Sequence, residues 1–242
     1  MIANPSKFQA IVFSKSNDPI KTDFQISDKV IKSDKSVELL GITFDYKLNF
    51  STHIDKLCKK TNGPLNALYR LKHYLSKDSK RLALNSFILS NFNYCPLICH
   101  FSIFEAQNKF EKVYRRSFQL LDVKPDPNEN GQLPLQVKRL RILATEIFKT
   151  LNGLNPSYMK TIFKASSLRR SSRLQFNMEV QKYNQIKYGR NSLRILGPML
   201  CNSLPNEAKS TKSLPKFKQF IKSCGNNTCP HYKRFMSYIS SV

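Results

Sequence analysis

Three side chains of the kind that bind zinc lie close together near the C-terminus of this 242-residue chain: Cys224, Cys229 and His231. A structural zinc site requires four cysteine or histidine donors in a tetrahedral arrangement. These residues provide only three donors, so they are weak candidates for a metal site. We therefore predict that the chain binds no metal.

The acidic residues do not form a pattern for metal-dependent catalysis either. Chemistry with two divalent metals about 4 Å apart requires at least two carboxylates that converge on one point. The chain contains no Asp-Asp pair, and Asp45 is the only acid at the end of an apolar strand pattern. We interpret Asp45 as a turn residue at the strand end rather than a metal ligand, and we predict no catalytic residue.

Basic side chains dominate the composition. The chain carries 40 Lys and Arg against 16 Asp and Glu, which gives a net charge of +24 and an isoelectric point near 9.9. A single pair of cations usually marks a solvated face, but so many clusters with few acids predict contact with nucleic-acid phosphates. The candidate contact residues are Lys7, Lys59, Lys60, Arg70, Arg115, Arg116, Arg139, Arg169, Arg170 and Arg173.

The sequence shows neither a signal-peptide pattern nor a membrane-spanning run. No apolar segment follows a basic N-terminus, and no apolar run approaches the ~18 residues of a membrane span. The six cysteines are therefore predicted to be thiols rather than disulfides. We expect an intracellular protein, with the nucleus as a candidate compartment and no membrane partner.

Strands are predicted before the first helix. FQIS at 24–27 and KVIK at 29–32 flank Asp28, which predicts a tight hairpin. Residues 37–44 alternate, and both alternating sets are largely apolar. This pattern predicts one strand with two covered faces, inside a small antiparallel sheet.

The apolar spacing becomes helical after the strands. Ser51 or Thr52 is expected to be the N-cap of the first helix. Gly63-Pro64 predicts that this helix is divided into two pieces, because an interior proline removes a hydrogen bond and clashes with the preceding turn.

Two more helices are predicted before residue 124. Ser76 or Asp78 is expected to cap a helix that runs to about Asn93, and Ser102 to Glu105 has the spacing of a capping box that opens another helix. The apolar spacing predicts the inward-facing residues Leu82, Leu84, Phe87, Ile88, Phe92, Phe110, Val113, Tyr114 and Leu121.

The second half of the chain begins with a linker. Residues 124–131, KPDPNENG, combine prolines, acids, asparagines and a glycine, as linkers do. A helix from about Leu135 to Leu151 follows, closed by Asn152-Gly153, and residues 165–190 are expected to form loops.

Three segments resemble the reverse transcriptases of non-LTR retrotransposons, of the RTE- and Jockey-like kind. They are ELLGITFDYKLNFSTHIDKLCKK (38–60), YCPLICHFSIF (94–104) and YGRNSLRILGPMLCNSLPNEAKSTKSLPKFKQFIK (188–222). The resemblance extends from about Asn4 to about Tyr232. Cysteine stands at three positions where the family pattern has tryptophan: Cys99, Cys201 and Cys224.

The resemblance implies an α+β fold with four parts. Residues 1–50 would be the trailing edge of a palm, a small antiparallel palm-remnant sheet in which Leu40 and Gly41 correspond to the primer grip. Residues 51–123 would form a mainly helical thumb, 124–131 a linker, and 132–242 a basic, mainly helical C-terminal domain with a degenerate Cys/His tail.

The resemblance also implies a function. The expected partner is RNA or an RNA/DNA hybrid duplex, held by the thumb and the basic tail, with no small-molecule substrate. The catalytic aspartates and the Tyr-x-Asp-Asp motif of the family are absent, so this chain alone is expected to be non-catalytic and to need no cofactor, Mg²⁺ serving only a complete polymerase. Two alternatives stay open: a part of a longer, active reverse transcriptase, or a decayed remnant with no activity.

Overall fold

The computed structural model describes residues 7–26, 28–124, 135–163, 177–184 and 192–223. The chain forms two compact units, Met1–Pro125 and Asp126–Val242. The division between them falls within the segment 124–131 that the sequence predicts to be a linker. The fold is α+β, as predicted: within the described residues, two antiparallel sheets of two strands each come first and helices follow.

Two hairpins open the first unit. Strand β1 (Asp23–Ile26) pairs with β2 (Lys29–Lys32), which confirms the hairpin predicted around Asp28. Strand β3 (Ser36–Leu39) pairs with β4 (Ile42–Asp45), with Leu39 opposite Ile42. The two pairs form separate sheets.

The single strand predicted over residues 37–44 is therefore wrong. The chain reverses at Leu40 and Gly41, whose φ angles are 51° and 77°. Positive φ at both central residues characterises the type I′ turn, whose twist matches that of two paired strands. Both sets of alternating residues are apolar because the pattern spans two short strands. In β4, Ile42 and Thr43 are buried and the other two residues are half-buried, whereas β3 is largely exposed.

Helix α1 (Ser51–Leu71) contacts β4, so the predicted domains 1–50 and 51–123 share one compact unit. Its N-cap is Phe50, without a side-chain cap, so the predicted cap by Ser51 or Thr52 is wrong. The helix also continues through Pro64 rather than forming two pieces. An interior proline costs about 3 kcal/mol, and burial of apolar residues on both sides of it offsets this cost.

The next helical run matches the predicted boundaries. It consists of α2 (Lys77–Ala83), a π-helical segment (Leu84–Leu89) and α3 (Ser90–Asn93). Ser76 is the N-cap, as one of the two candidates, and its hydroxyl accepts a hydrogen bond from the Ser79 N–H at 3.1 Å.

The π-helical segment changes which side chains are buried. Leu84, Ile88 and Phe92 are almost fully buried, as predicted. Leu82 and Phe87 are 69% and 60% exposed, so their predicted burial is wrong. In a π-helix each turn contains more residues than in an α-helix, so a face assigned at 3.6 residues per turn does not follow the buried side.

Helices α4 (Pro96–Phe101) and α5 (Phe104–Leu120) complete the first unit. The predicted capping box is wrong, because the N-cap is Ile103 and the Ser102 hydroxyl donates to the Cys99 carbonyl instead. Helix α5 packs against α1. It also contacts α3, where the ring centroid of Phe92 lies 4.5 Å from that of Phe110. Of the other residues predicted to face inward, Tyr114 and Leu121 are buried and Val113 is half-buried.

The second unit is organised around α6 (Leu135–Leu151), whose predicted boundaries are confirmed. Gly153 has a φ of 74° and ends the helix in a Schellman motif, in which the Leu154 N–H donates to the Lys149 carbonyl at 2.8 Å. The other described elements are a 3₁₀ helix (Ser157–Ile162), α7 (Leu193–Ser203), α8 (Asn206–Ser210) and α9 (Leu214–Ser223).

Helix α6 contacts α7, α9 and the 3₁₀ helix. The Phe148 ring stacks on Phe217 at 4.3 Å, which joins α6 to α9. Most of the loop segment predicted over 165–190 lies outside the described residues, and 177–184 contains no helix. Across the described ranges, no helix combines the length and the apolar character needed to cross a bilayer.

Candidate nucleic-acid interface

A cleft of about 530 Å³ opens beside the β3–β4 turn in the first unit. One wall is the turn itself, with Leu40 and Gly41. Helix α1 forms the second wall and presents Lys56 and Lys60, which are four residues apart and so lie on the same side of the helix. The remaining wall is formed by α3 and the residue that follows it, with Ser90, Asn91 and Tyr94.

Tyr94 holds the turn in place. Its phenolic hydroxyl donates a hydrogen bond to the Leu40 carbonyl. A Cβ atom on Gly41 would lie 4.0 Å from the Tyr94 ring. The apolar side chain of Leu40 is 80% exposed. Its backbone has the left-handed conformation, which is unfavourable for residues other than glycine. This turn therefore breaks two local preferences at once, which is common at functional sites.

His53 and Thr43 form the floor of the cleft, and each is 2% exposed. The His53 Nδ1 atom accepts a hydrogen bond from the Thr43 N–H at 3.3 Å, which joins α1 to β4. Burial lowers the pKa of His53 below its ordinary value of 6.5, and the charge of Lys56 lowers it further, while Glu38 opposes this effect. The imidazole is therefore neutral at pH 7, as its acceptor role requires.

His53 makes the stability of the first unit dependent on pH. Because the folded state disfavours the imidazolium, the unfolded chain binds the proton more tightly. The contribution of neutral His53 to the free energy of unfolding is therefore present above pH 6.5. It is lost as pH falls through the lowered pKa of the folded state. Between about pH 7.5 and pH 5.5, urea unfolding should show a larger loss for the wild type than for His53→Asn. The asparagine keeps an acceptor near Nδ1 but does not titrate. Equal losses in both proteins would contradict this account.

A second cationic surface lies along α1 and α5. Asp55 pairs with Lys109 near the start of both helices, and Lys72 pairs with Asp122 at 3.1 Å just beyond their ends, so the helices run in the same direction. Residues three to four apart share a helix side. On α1, the exposed Lys59 therefore lies on the same side as Asp55. On α5, the exposed Lys112 and Arg116 lie on the same side as Lys109.

We call these three residues the α1–α5 basic ridge. None of them forms an ion pair with any residue that the structure describes. Arg115 is exposed beside the ridge, but its guanidinium faces Glu111 at 3.4 Å. The ridge therefore presents net positive charge that no carboxylate in the described part of the chain neutralises.

The remaining predicted contact residues have different positions. Lys7 and Arg70 are exposed. Arg139 is only 2% exposed, and its Nε donates to the Leu135 carbonyl at 3.2 Å. The prediction that Arg139 contacts phosphates is therefore withdrawn, because its guanidinium belongs to the core of the second unit. Three others lie outside the described residues: Arg169, Arg170 and Arg173.

The sequence predictions about metal ligands concern the C-terminal Cys and His residues and Asp45. Cys224, Cys229 and His231 lie outside the described residues, and the described part of the chain contains no group of three or more metal-ligating side chains. Asp45 is the strand-end turn residue that the sequence predicts. Its carboxylate accepts hydrogen bonds from the Lys47, Asn49 and Phe50 N–H groups, at 3.1, 2.9 and 2.6 Å.

Sequence reasoning missed the residues that complete the cleft. Glu38, His53 and Tyr94 lie on three different elements, and only tertiary folding brings them together. Lys60 is one of the predicted contact residues, and Lys56 carried a usable signal, since the spacing of four residues places both cations on one helix side. The other three carried no signal in the local sequence.

The second unit contains an apolar cavity of about 440 Å³ between α6 and α9. Its wall includes Phe148, Phe163, Met178 and Cys201. Burial raises the pKa of the Cys201 thiol, so this cysteine stays protonated and is a poor nucleophile. The thiol is small for a buried position, which agrees with a cavity beside it.

Comparisons with known proteins found no relative of this chain. No protein-family model matches it. Neither the search of curated proteins nor the search of solved structures found a match. The functional assignment therefore depends on the residues of the chain itself.

Proposed function

We propose that this chain binds the backbone of RNA or an RNA/DNA hybrid duplex, as the non-catalytic, thumb-like part of a retrotransposon RNA-directed DNA polymerase. The observation that carries the proposal is the arrangement of cations on two packed helices of the first unit. Lys56 and Lys60 line the cleft, and the α1–α5 basic ridge adds three exposed cations.

This arrangement suits recognition of shape and charge. Side chains cannot read bases in the deep, narrow major groove of an A-form duplex, so proteins bind it through phosphates and 2′-hydroxyls. Lysine and arginine side chains on the ridge would contact phosphates, each releasing a bound counterion. The exposed β3–β4 turn, held by Tyr94, would contact the strand that runs into the cleft.

We propose that the chain alone does not incorporate nucleotides. All three hydrogen bonds to the Asp45 carboxylate come from backbone N–H groups of the following loop, so this side chain has a structural role. A complete polymerase would use Mg²⁺ held by aspartates that this sequence lacks. Incorporation of nucleotides by the purified 242-residue chain in a primer-extension assay with Mg²⁺ would contradict this part of the proposal.

Binding to a fluorescently labelled RNA/DNA hybrid over a salt series tests the proposal. The logarithm of the binding constant should fall linearly with the logarithm of salt concentration, with a slope of about −3 or steeper, since each neutralised phosphate contributes about −0.9. Replacing the ridge residues Lys59, Lys112 and Arg116 by glutamine should weaken binding and flatten the slope by about 2 to 3.

A matched variant controls for net charge. Lys29 and Lys32 lie on β2 and Lys21 lies just before β1; all three are exposed and none belongs to the cleft or the ridge. Replacing these three by glutamine removes the same charge as the ridge variant. The proposal fails if both triple variants weaken binding equally, or if wild-type binding shows no dependence on salt.

A further inference from the structure

Among the described residues, Glu38 is the one acidic residue in the wall of the cleft. It lies on β3 directly opposite Thr43 of β4, so both side chains are on the sheet face toward α1. Its carboxylate pairs with the Lys56 ammonium at 3.1 Å, and its backbone N–H donates to the Gln9 side-chain carbonyl at 3.1 Å. Glu38 thus neutralises one of the two cations in the cleft.

This ion pair is easily broken. The side chains of Lys56 and Glu38 are 54% and 56% exposed, and ion pairs exposed to solvent contribute little to stability. Lys60, one helical turn away, has no acidic partner among the described residues. The cleft therefore holds two cations and one exchangeable carboxylate.

The floor of the cleft offers a further contact. The Thr43 hydroxyl is buried and has no hydrogen-bond partner in the described structure. A buried hydroxyl without a partner is uncommon in folded proteins, because each such group loses its hydration. An oxyanion that enters between Lys56 and Lys60 could accept a hydrogen bond from it.

We propose that the cleft is a binding site for one backbone phosphate of a nucleic-acid strand, and that Glu38 is the internal counter-ion that this phosphate displaces from Lys56. The inference rests on the proposed nucleic-acid function and deepens it. A phosphodiester carries the same single negative charge as the carboxylate, so the exchange keeps Lys56 neutralised. Glu38 moves toward solvent, and the phosphate gains Lys60 and the Thr43 hydroxyl.

The substitution Glu38→Gln tests the inference directly. With the acid removed, Lys56 no longer has to exchange partners, and binding of the hybrid duplex at 0.1 M salt should tighten about five- to tenfold, with a salt slope steeper by about 0.9. Asp34→Asn is the matched control, since it removes one exposed acid from the same region of the chain that neither lines the cleft nor pairs with Lys56. It should tighten binding by less than about twofold.

A double-mutant cycle shows whether the gain in affinity caused by Glu38→Gln depends on Lys56. In a Lys56→Gln background, Glu38→Gln should change affinity no more than Asp34→Asn does. The inference is overturned if Glu38→Gln behaves like Asp34→Asn in the wild-type background, or if its full gain persists without Lys56. Loss of the proposed function has a different signature, because no variant would then bind the duplex even at low salt.

Discussion

Asp45→Ala is expected to lower the free energy of unfolding of the first unit by about 3 kcal/mol. This carboxylate accepts three hydrogen bonds, and a hydrogen bond to a charged group contributes about 1.5–3 kcal/mol. Because Asp45 is only half-buried, water weakens these bonds and the expected loss is smaller than their sum of about 4.5–9 kcal/mol. The loop from β4 to α1 also contains two left-handed residues, Leu48 and Phe50. A left-handed conformation costs non-glycine residues roughly 1–2 kcal/mol. The Asp45 hydrogen bonds hold the loop in this conformation.

Urea unfolding followed by far-UV circular dichroism measures the effect. Asp45→Asn is the matched control, because its amide keeps one acceptor oxygen and should cause about half the loss. The comparison also separates a structural role from a metal-binding one. If Asp45→Ala left the stability of the metal-free protein unchanged, the structural role proposed for this carboxylate would be wrong.

Leu40→Asn is expected to change stability and binding in opposite directions. Leucine has a φ of 51° at the first central position of the turn, and asparagine is strongly preferred there in type I′ turns. The substitution should therefore stabilise the first unit by about 0.5–1 kcal/mol. Affinity for the hybrid duplex should fall roughly tenfold, which corresponds to about 1.4 kcal/mol. The reason is that the proposed contact between the exposed leucine and the nucleic-acid strand would be lost.

Leu39→Asn provides the control for this prediction. Leu39 is also exposed, at 59%, but it lies in strand β3, where asparagine relieves no left-handed strain. This variant should not gain stability and should bind the duplex nearly as well as the wild type. A parallel loss of binding in both variants would mean that apolar area around the hairpin matters, rather than the position of Leu40 at the turn.

Local signals in the sequence were sufficient where a short segment determines its own structure. The Ser76 cap and the C-terminal end of α6 are confirmed because a capping hydroxyl and a left-handed glycine act on adjacent backbone groups. The hairpin around Asp28 is also confirmed, and its two strands are adjacent in the sequence. The high positive charge also follows from composition alone.

The errors have one common cause, which is that distant contacts outweighed local preferences. Proline did not divide α1, because Ile54 and Leu65 on its two sides are both fully buried. The predicted strand over 37–44 became a hairpin in which Tyr94, far along the chain, binds the turn. Arg139 looked like a surface cation, but its position on α6 places it in the core.

The sequence by itself determined that this protein is strongly basic and without paired aspartates, and its periodicity predicted strands followed by helices, because composition and short-range periodicity are properties of the chain before it folds. Only the tertiary structure decided which cations share a surface and that Glu38 faces Lys56 across a cleft. Side chains from β3, β4, α1 and the end of α3 meet there through packing of elements that are remote in sequence. Packing of this kind depends on the whole core, so no local pattern records it.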